Sequence, residues 1–369
     1  MRYRIIVLMI VIALSVTIVA DFITNFTKPA FSTSIAPGFE KTGGTLNIDN
    51  SQLPITTDSL KGKVVLVNFW TYSCINVLRT LPYLIDWNTK YSDKGLVIVG
   101  VHTPEFEFEK NIDNLKKAVE RYGIEYPVIQ DNEYKTWNAY GNNYWPRMYL
   151  VDDQGHIRYD RIGEGNYDQT EKMVQSLLSE RNSKIGMEIL ESNSKPSDVN
   201  KTPSNQNKIS GFLKQPVDFT KIKTSELYFG HKFKDTSLGN PEGFHPGQVI
   251  KYATPSNSSI KSNTIYLEGE WKNNPDNMEL QSELGKIVLT YSAKSVNLVA
   301  GGIGQAIVHE DNSLLDNNSK GVDIVDDHKL LIDSPRLYNI ANHQSYDGTH
   351  SLIIDIKGKG FQAYTFTFG

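Results

Sequence analysis

The 369-residue chain contains a single cysteine, Cys74. An internal disulfide is therefore excluded, and the thiol is buried and inert, paired with another molecule, or reactive. Charge of one sign is also lacking: 38 Lys and Arg stand against 42 Asp and Glu, a net charge of −4. No clustered Lys and Arg mark a nucleic-acid surface, so nucleic acid is not an expected partner. With 39% hydrophobic and 22% charged residues, wholesale disorder is excluded as well. A glycine-rich phosphate loop is absent; residues 301–304 follow a strand pattern, where a turn suffices. No set of His, Cys, Asp and Glu has metal-ligand spacing, so neither metal nor cofactor is expected.

Long apolar runs are scarce, and the clearest lies at the N-terminus. Arg2 and Arg4 precede an uncharged stretch over residues 5–20, closed by Asp21. A run free of charge is what a bilayer core requires, so residues 1–23 read as a membrane anchor or signal segment. Retention as a signal-anchor and cleavage after Ala20 are both open. No cysteine follows that would make a lipoprotein. The positive-inside rule keeps the two arginines in the cytoplasm and exports what comes after, placing the protein on the extracytoplasmic side. Residues 24–54 then read as a stem.

Beyond the stem the pattern is α/β over residues 55–180. Residues 64–69 and 96–101 are continuous apolar runs, as strands covered on both faces require. Between them Leu78, Leu81 and Ile85 have helical spacing. Residues 105–122 read as one helix with Phe108, Ile112, Leu115 and Val119 on one face, stopped by Gly123. A short strand (126–129), a short helix (134–140), a hairpin turning at residues 152–155 and a helix over 170–179 complete a β-α-β-α-β-β-α order. Residues 181–217, rich in Asn, Ser, Lys and Pro, read as a linker. Residues 218–369 show short strands separated by turn residues and no long helical pattern, the character of an all-β sandwich.

The sharpest local signal is the segment 68–77, which ends a buried strand and opens a helix at Cys74, with Pro82 beyond it. Unpaired N–H groups and the positive dipole end of the helix favour thiolate, and cysteines so placed titrate at roughly 3.5–7.5. Position alone therefore predicts a nucleophile; the alternative is a small hydrophobe packed as a structural remnant.

Together with Phe69-Trp70 ahead of Cys74, Pro82, the segment His102-Thr103-Pro104-Glu105-Phe106 and Tyr144-Trp145-Pro146, residues 60–180 resemble the thioredoxin superfamily. The likeness is to its TlpA/DipZ-like branch of extracytoplasmic thiol–disulfide (redoxin) proteins. The resemblance implies the thioredoxin fold and a cis Trp145-Pro146 bond beside Cys74. It also implies disulfide-bearing or thiol protein substrates, served by an external thiol or a membrane redox partner. Residues 337–339 and 363–369 resemble the β-sandwich that ends DipZ-like proteins, implying a carbohydrate-binding-module-like shape. Trp271, Tyr266 and Tyr291 could then line a face for a glycan, although strand aromatics are more often core.

One departure matters: the family motif is Cys-x-x-Cys, and Val77 holds the second position. A mixed disulfide on Cys74 then needs an external thiol for release. The C-terminal ends of the two parallel strands should bring His102, Thr103 and Glu105 to the edge that holds Cys74. His102 is either a base for the thiol or a histidine bonded to loop backbone. Arg147 is either a thiolate stabiliser or an exposed strand-end arginine. Thr71 stands three before Cys74, as in the Thr-x-x-Cys of peroxiredoxins, but Val67 occupies the position of their proline. Ser73 completes the approach to the cysteine, while Tyr72 and Trp145 read as a rim for an extended peptide. Three functions are open: thiol–disulfide exchange through one cysteine, a redox-silent binding scaffold, and a one-cysteine peroxidase.

Overall fold

Two adjacent parallel strands organise the first half of the molecule: β2 (Val64–Trp70) and β3 (Leu96–His102), in register from Val64 opposite Leu96 to Trp70 opposite His102. Alternate side chains feed two cores. Val64, Leu66 and Trp70 enter one; Val65, Val67 and Phe69 enter the other. A sheet covered on both faces leaves no strand position for a polar alternation, which is why both runs read as continuously apolar.

In the computed structural model, residues 34–48, 55–186, 211–233, 238–256, 259–325 and 328–369 are described. The anchor expected over residues 1–23 lies outside them. No helix among the described residues is long and apolar enough to cross a membrane.

The first sheet has the order β1-β4-β3-β2-β5-β6, with β1 at Thr45–Leu46, β4 at Val128–Gln130, β5 at Arg147–Val151 and β6 at Ile157–Ile162. Accompanying it among the described residues are the helices α1 (Ile75–Leu78), α2 (Leu81–Tyr91), α3 (Ile112–Tyr122), α4 (Lys135–Ala139) and α5 (Tyr167–Ile185). This is the thioredoxin arrangement expected from the sequence.

Three boundaries differ. The helix expected over residues 105–122 is broken into a 3-10 turn, Glu107–Lys110, and α3. Asn111 is extended, and its carboxamide accepts from the N–H groups of Asp113 and Asn114, so it starts a new helix instead of continuing one. Gly123, left-handed at φ 66°, ends α3 as expected. Residues assigned to the stem belong to this domain: Thr45 and Leu46 pair with β4, and Ala36 donates to the Gly155 carbonyl. Likewise α5 runs on to Ile185, inside the expected linker, and Phe212 and Leu213 are buried in the first core.

The second half is a sandwich whose two sheets share one strand. One sheet contains β8 (Val249–Tyr252), β9 (Ile265–Asn273), β10 (Met278–Leu280), β19 (Gln362–Phe368), β12 (Ser295–Gly301) and β17 (Arg336–Asn342), with β7 (Leu227–Tyr228) on β19. The other contains β9 again, β11 (Leu284–Tyr291), β18 (His350–Lys357), β13 (Gly304–Glu310), β16 (Lys329–Ile332) and β15 (Ile324–Val325), with β14 (Ser313–Leu314) on β13. The first half of β9, through Glu268, pairs with β11; from Gly269 onward it pairs with β8 and β10. Gly269 sits at φ +106°, and a Cβ there would lie 2.9 Å from the Leu284 carbonyl oxygen. Only glycine fits the point where the strand changes sheets.

Trp271, Tyr266 and Tyr291 are all fully buried. The sugar-binding face suggested for them is therefore corrected: Trp271 and Tyr291 belong to the sandwich core, while Tyr266, between the core residues Ile265 and Leu267, faces the other way and is covered by the loop whose Lys261 N–H and Ser259 carbonyl bond its hydroxyl.

The sandwich docks on the loop that follows β3. Phe106 and Phe108 meet Tyr364 edge-on at 5.2 and 4.7 Å between centroids, and Phe106 meets Phe233 at 5.8 Å. The Glu107 N–H donates to Asp276 at 3.0 Å, and Arg121 reaches Asp323 at 3.6 Å.

Candidate functional site

Cys74 is the N-cap of α1, and its half-buried side chain lies where β2 gives way to helix. The amides of Val77 and Asn76 face the sulfur and pull its pKa down. Their effect is small because α1 is four residues long; the chain breaks at Arg79 and Thr80 before α2 begins. A dipole is the sum of aligned peptides, and one turn supplies few. Burial dominates, followed by the charges of Glu105 and Glu226, and the thiol lies well above the ordinary cysteine range. This works against the expected ionisation of the thiol: a one-turn helix sets little against desolvation and two carboxyls.

Cys74 lines a cleft of about 330 Å³ between the domains, with Ile75 and Asn76 beside it on one wall and Phe219, Ile222, Glu226 and Phe368 on the other. The sandwich thus supplies half of the surroundings of the thioredoxin cysteine. At the cleft's edge the Tyr228 hydroxyl donates to Glu105 Oε1 at 2.8 Å. Glu105 is pushed well above the carboxylate range by burial, then by Glu226 and Glu109. Glu226 is exposed to solvent as a residue, yet the crowding around its carboxyl pushes it up to about 7, against the pull of its hydrogen bond with Tyr228.

Glu109 ties this region together. Its buried carboxylate accepts from Thr71 Oγ1 at 2.5 Å, Ser73 Oγ at 2.6 Å, and the N–H groups of Glu105 and Phe106 at 2.6 and 3.0 Å. Burial raises its pKa; these hydrogen bonds oppose the rise. The same inward turn of Glu109 explains why the chain leaves helical geometry here: the carboxylate caps its own preceding backbone.

The expected surroundings of Cys74 sort into two groups. Glu105 comes to the thiol; Thr71 and Ser73 are instead hydrogen-bonded to Glu109. Val77 is fully buried within α1, and Pro82 occupies the first turn of α2, where a missing N–H costs nothing. The Trp145-Pro146 bond is cis, as the resemblance implies, with Trp145 Nε1 donating to the Thr103 carbonyl at 3.1 Å.

The other group is corrected. His102 is fully buried, stacked on Tyr72 at 5.4 Å and edge-on to Trp70 at 5.3 Å. Neither of its nitrogens has a hydrogen-bond partner among the described residues, and burial lowers its pKa to about 3. It is a neutral core ring, not a base for the thiol. Tyr72 is buried too and donates to the Phe108 carbonyl at 3.3 Å, so it forms no rim. Arg147 is taken by Asp160 at 2.7 Å and lies over the Tyr149 ring at 4.7 Å, leaving nothing for a thiolate. Trp70 is wholly enclosed.

Sequence reading missed Glu109, Glu226 and Tyr228. Glu109 carried a weak signal, a carboxylate four residues after Glu105 and next to the inward Phe108. Glu226 and Tyr228 carried none, since they reach the site across the domain boundary.

Fold and site together define a protein with a thioredoxin-like α/β domain and a second, all-β domain that walls one side of the cysteine's cleft. Residues 33–160 match the AhpC/TSA family, and residues 224–369 match the thioredoxin like C-terminal domain. The chain is 34% identical over 92% of its length to Protein DipZ of Mycobacterium tuberculosis, of which it covers 43%. It thus spans less than half of that relative. It is 28% identical to the thiol-disulfide oxidoreductase ResA of Geobacillus thermodenitrificans, over 47% of this chain and 92% of that one. A solved thioredoxin-like protein in the oxidized form is 27% identical over 40% of this chain and 97% of its own, with a TM-score of 0.37.

Proposed function

We propose that the protein is a membrane-tethered, extracytoplasmic thiol–disulfide exchange protein that works through Cys74 alone. The observation that carries this reading is the address of the cysteine: the N-cap position after the central strand of a thioredoxin fold, on an open cleft, with a titrating carboxyl in the same cleft. Glu226 takes the thiol proton, and the Cys74 thiolate attacks one sulfur of a protein disulfide. The substrate S–S bond breaks as the mixed disulfide forms, and its second sulfur leaves with the electron pair and is then protonated. Val77 cannot resolve the adduct, so an external thiol or a membrane redox partner attacks it and regenerates Cys74. The apolar, Arg-led segment 1–23 supports the tether and the side of the membrane.

The test uses the full chain and glutathione disulfide. One glutathione should attach at Cys74, faster as pH rises, and dithiothreitol should remove it; Cys74→Ser should take up none. Absence of any adduct up to about pH 9 rejects the reading. Sedimentation with membranes, abolished when residues 1–23 are deleted, tests the tether.

The raised thiol pKa and Val77 favour a second reading, a redox-silent scaffold. It requires partner capture to survive Cys74→Ser unchanged. The peroxidase reading loses support because the Thr71 hydroxyl is committed to Glu109.

A further inference from the structure

We infer that Glu310, His343 and His350 form a binding site for one first-row transition-metal dication, zinc foremost, at one end of the sandwich and independent of Cys74. Their ligand atoms all lie within 4.8 Å of one another. His343 Nε2 and Glu310 Oε1 are 3.3 Å apart. Zinc bonds of about 2.0–2.2 Å place tetrahedral ligand atoms roughly 3.4 Å from each other, so this pair already stands at a coordinating separation. The rings of His343 and His350 lie face to face, 4.4 Å between centroids and 9° from parallel; an imidazole nitrogen binds a metal in the plane of its ring, so one ring must turn on its side-chain torsions for both to ligate one ion.

The outer partners are those a metal site uses. His350 Nδ1 meets Asp311 Oδ2 at 2.9 Å, and the other carboxylate oxygen of Asp311 accepts from the Ser351 N–H at 2.9 Å. A carboxylate on Nδ1–H fixes the tautomer and turns the Nε2 lone pair to the metal. The Tyr291 hydroxyl lies 2.5 Å from Glu310 Oε1 and 2.9 Å from His343 Nε2, on the ligand atoms themselves, so a bound metal takes the place of these hydrogen bonds. All three ligands stand on strand ends. Glu310 closes β13 before a tight turn with Asp311 and Asn312 at φ 49° and 65°; His350 opens β18 opposite Tyr291; and His343, just past β17, is held by its N–H on the Lys294 carbonyl at 2.7 Å. The side chains are only 8%, 12% and 19% exposed for Glu310, His343 and His350, sheltered but not sealed from solvent.

Two imidazole nitrogens with one carboxylate oxygen suit zinc, copper, nickel or ferrous iron, and not calcium or magnesium, which take all-oxygen sets. Three protein ligands leave a position for water or a further ligand. Sequence spacing gave no sign of this set, because Glu310 stands on a different strand well before His343 and His350, and a gap of seven residues between the two histidines is not a metal-ligand spacing.

Isothermal titration of the full chain, stripped of metal by a chelator, with zinc chloride tests the inference. One zinc per chain should bind, and cobalt(II) at the same stoichiometry should give visible bands of a low-symmetry nitrogen–oxygen site. His343→Ala and His350→Ala should each weaken zinc at least tenfold, and Asp311→Asn about tenfold. Cys74→Ser should leave the affinity unchanged. Glu310→Gln keeps the hydrogen-bonding shape and should lose zinc without lowering the metal-free melting temperature, separating a lost ligand from a lost fold. No saturable zinc binding, binding retained by both histidine variants, or binding lost in Cys74→Ser would each overturn the site.

Discussion

At the scale of single residues, the contest over Cys74 is between a weak helix terminus and a strong desolvation, and desolvation prevails. Glu226 decides how that contest varies with pH. Its folded pKa, about 7, lies above that of a free glutamate. The folded protein therefore holds more protons than the unfolded chain between about pH 4.5 and 7, and its stability falls as pH rises through that window. Glu226→Gln removes the dependence: its denaturation midpoint should vary less between pH 5 and 8 than the wild type's. A wild type equally stable at both pH values would contradict the assignment. Val77 offers a complementary change. Val77→Cys restores a dithiol spacing in α1, and mild oxidation should consume both thiols of the monomer, read by mass spectrometry after alkylation. Persistence of two free thiols would show that α1 does not present the pair.

At the scale of elements, β2 and β3 were legible because continuous apolar runs have one stable setting, a strand buried on both faces. The segment 105–122 was not, because Glu109 looks like a solvent-side helical residue and instead turns inward to serve Thr71, Ser73 and its own backbone. The aromatic strands of the sandwich were recognisable as strands, but which face they bury depends on a partner sheet that local sequence does not name. Short β14 and β15 left no pattern at all. The shared strand β9 has a sharp requirement at Gly269. Gly269→Ala forces a side chain into a left-handed backbone against the Leu284 carbonyl, and should cost about 1–3 kcal/mol. Urea denaturation followed by Trp fluorescence measures it; a change below about 0.5 kcal/mol would show that β9 bends elsewhere.

At the scale of the whole molecule, the site is not a property of the thioredoxin half. The Tyr228–Glu105 hydrogen bond joins residues 123 positions apart, and no periodicity or motif carries such a relation. That is why the fold was readable and the cleft was not. Tyr364 packs against both Phe106 and Phe108, so Tyr364→Ala should loosen the domains and speed iodoacetamide labelling of Cys74 severalfold at pH 7.5. Unchanged labelling would mean that the sandwich does not control access. If it does, recognition and chemistry are housed on separate pieces of chain: whatever approaches the sulfur must first be accepted by surfaces from the sandwich. A chimera joining this thioredoxin half to a relative's sandwich would then keep its reactivity toward small disulfides and exchange its protein clients for those of the donor.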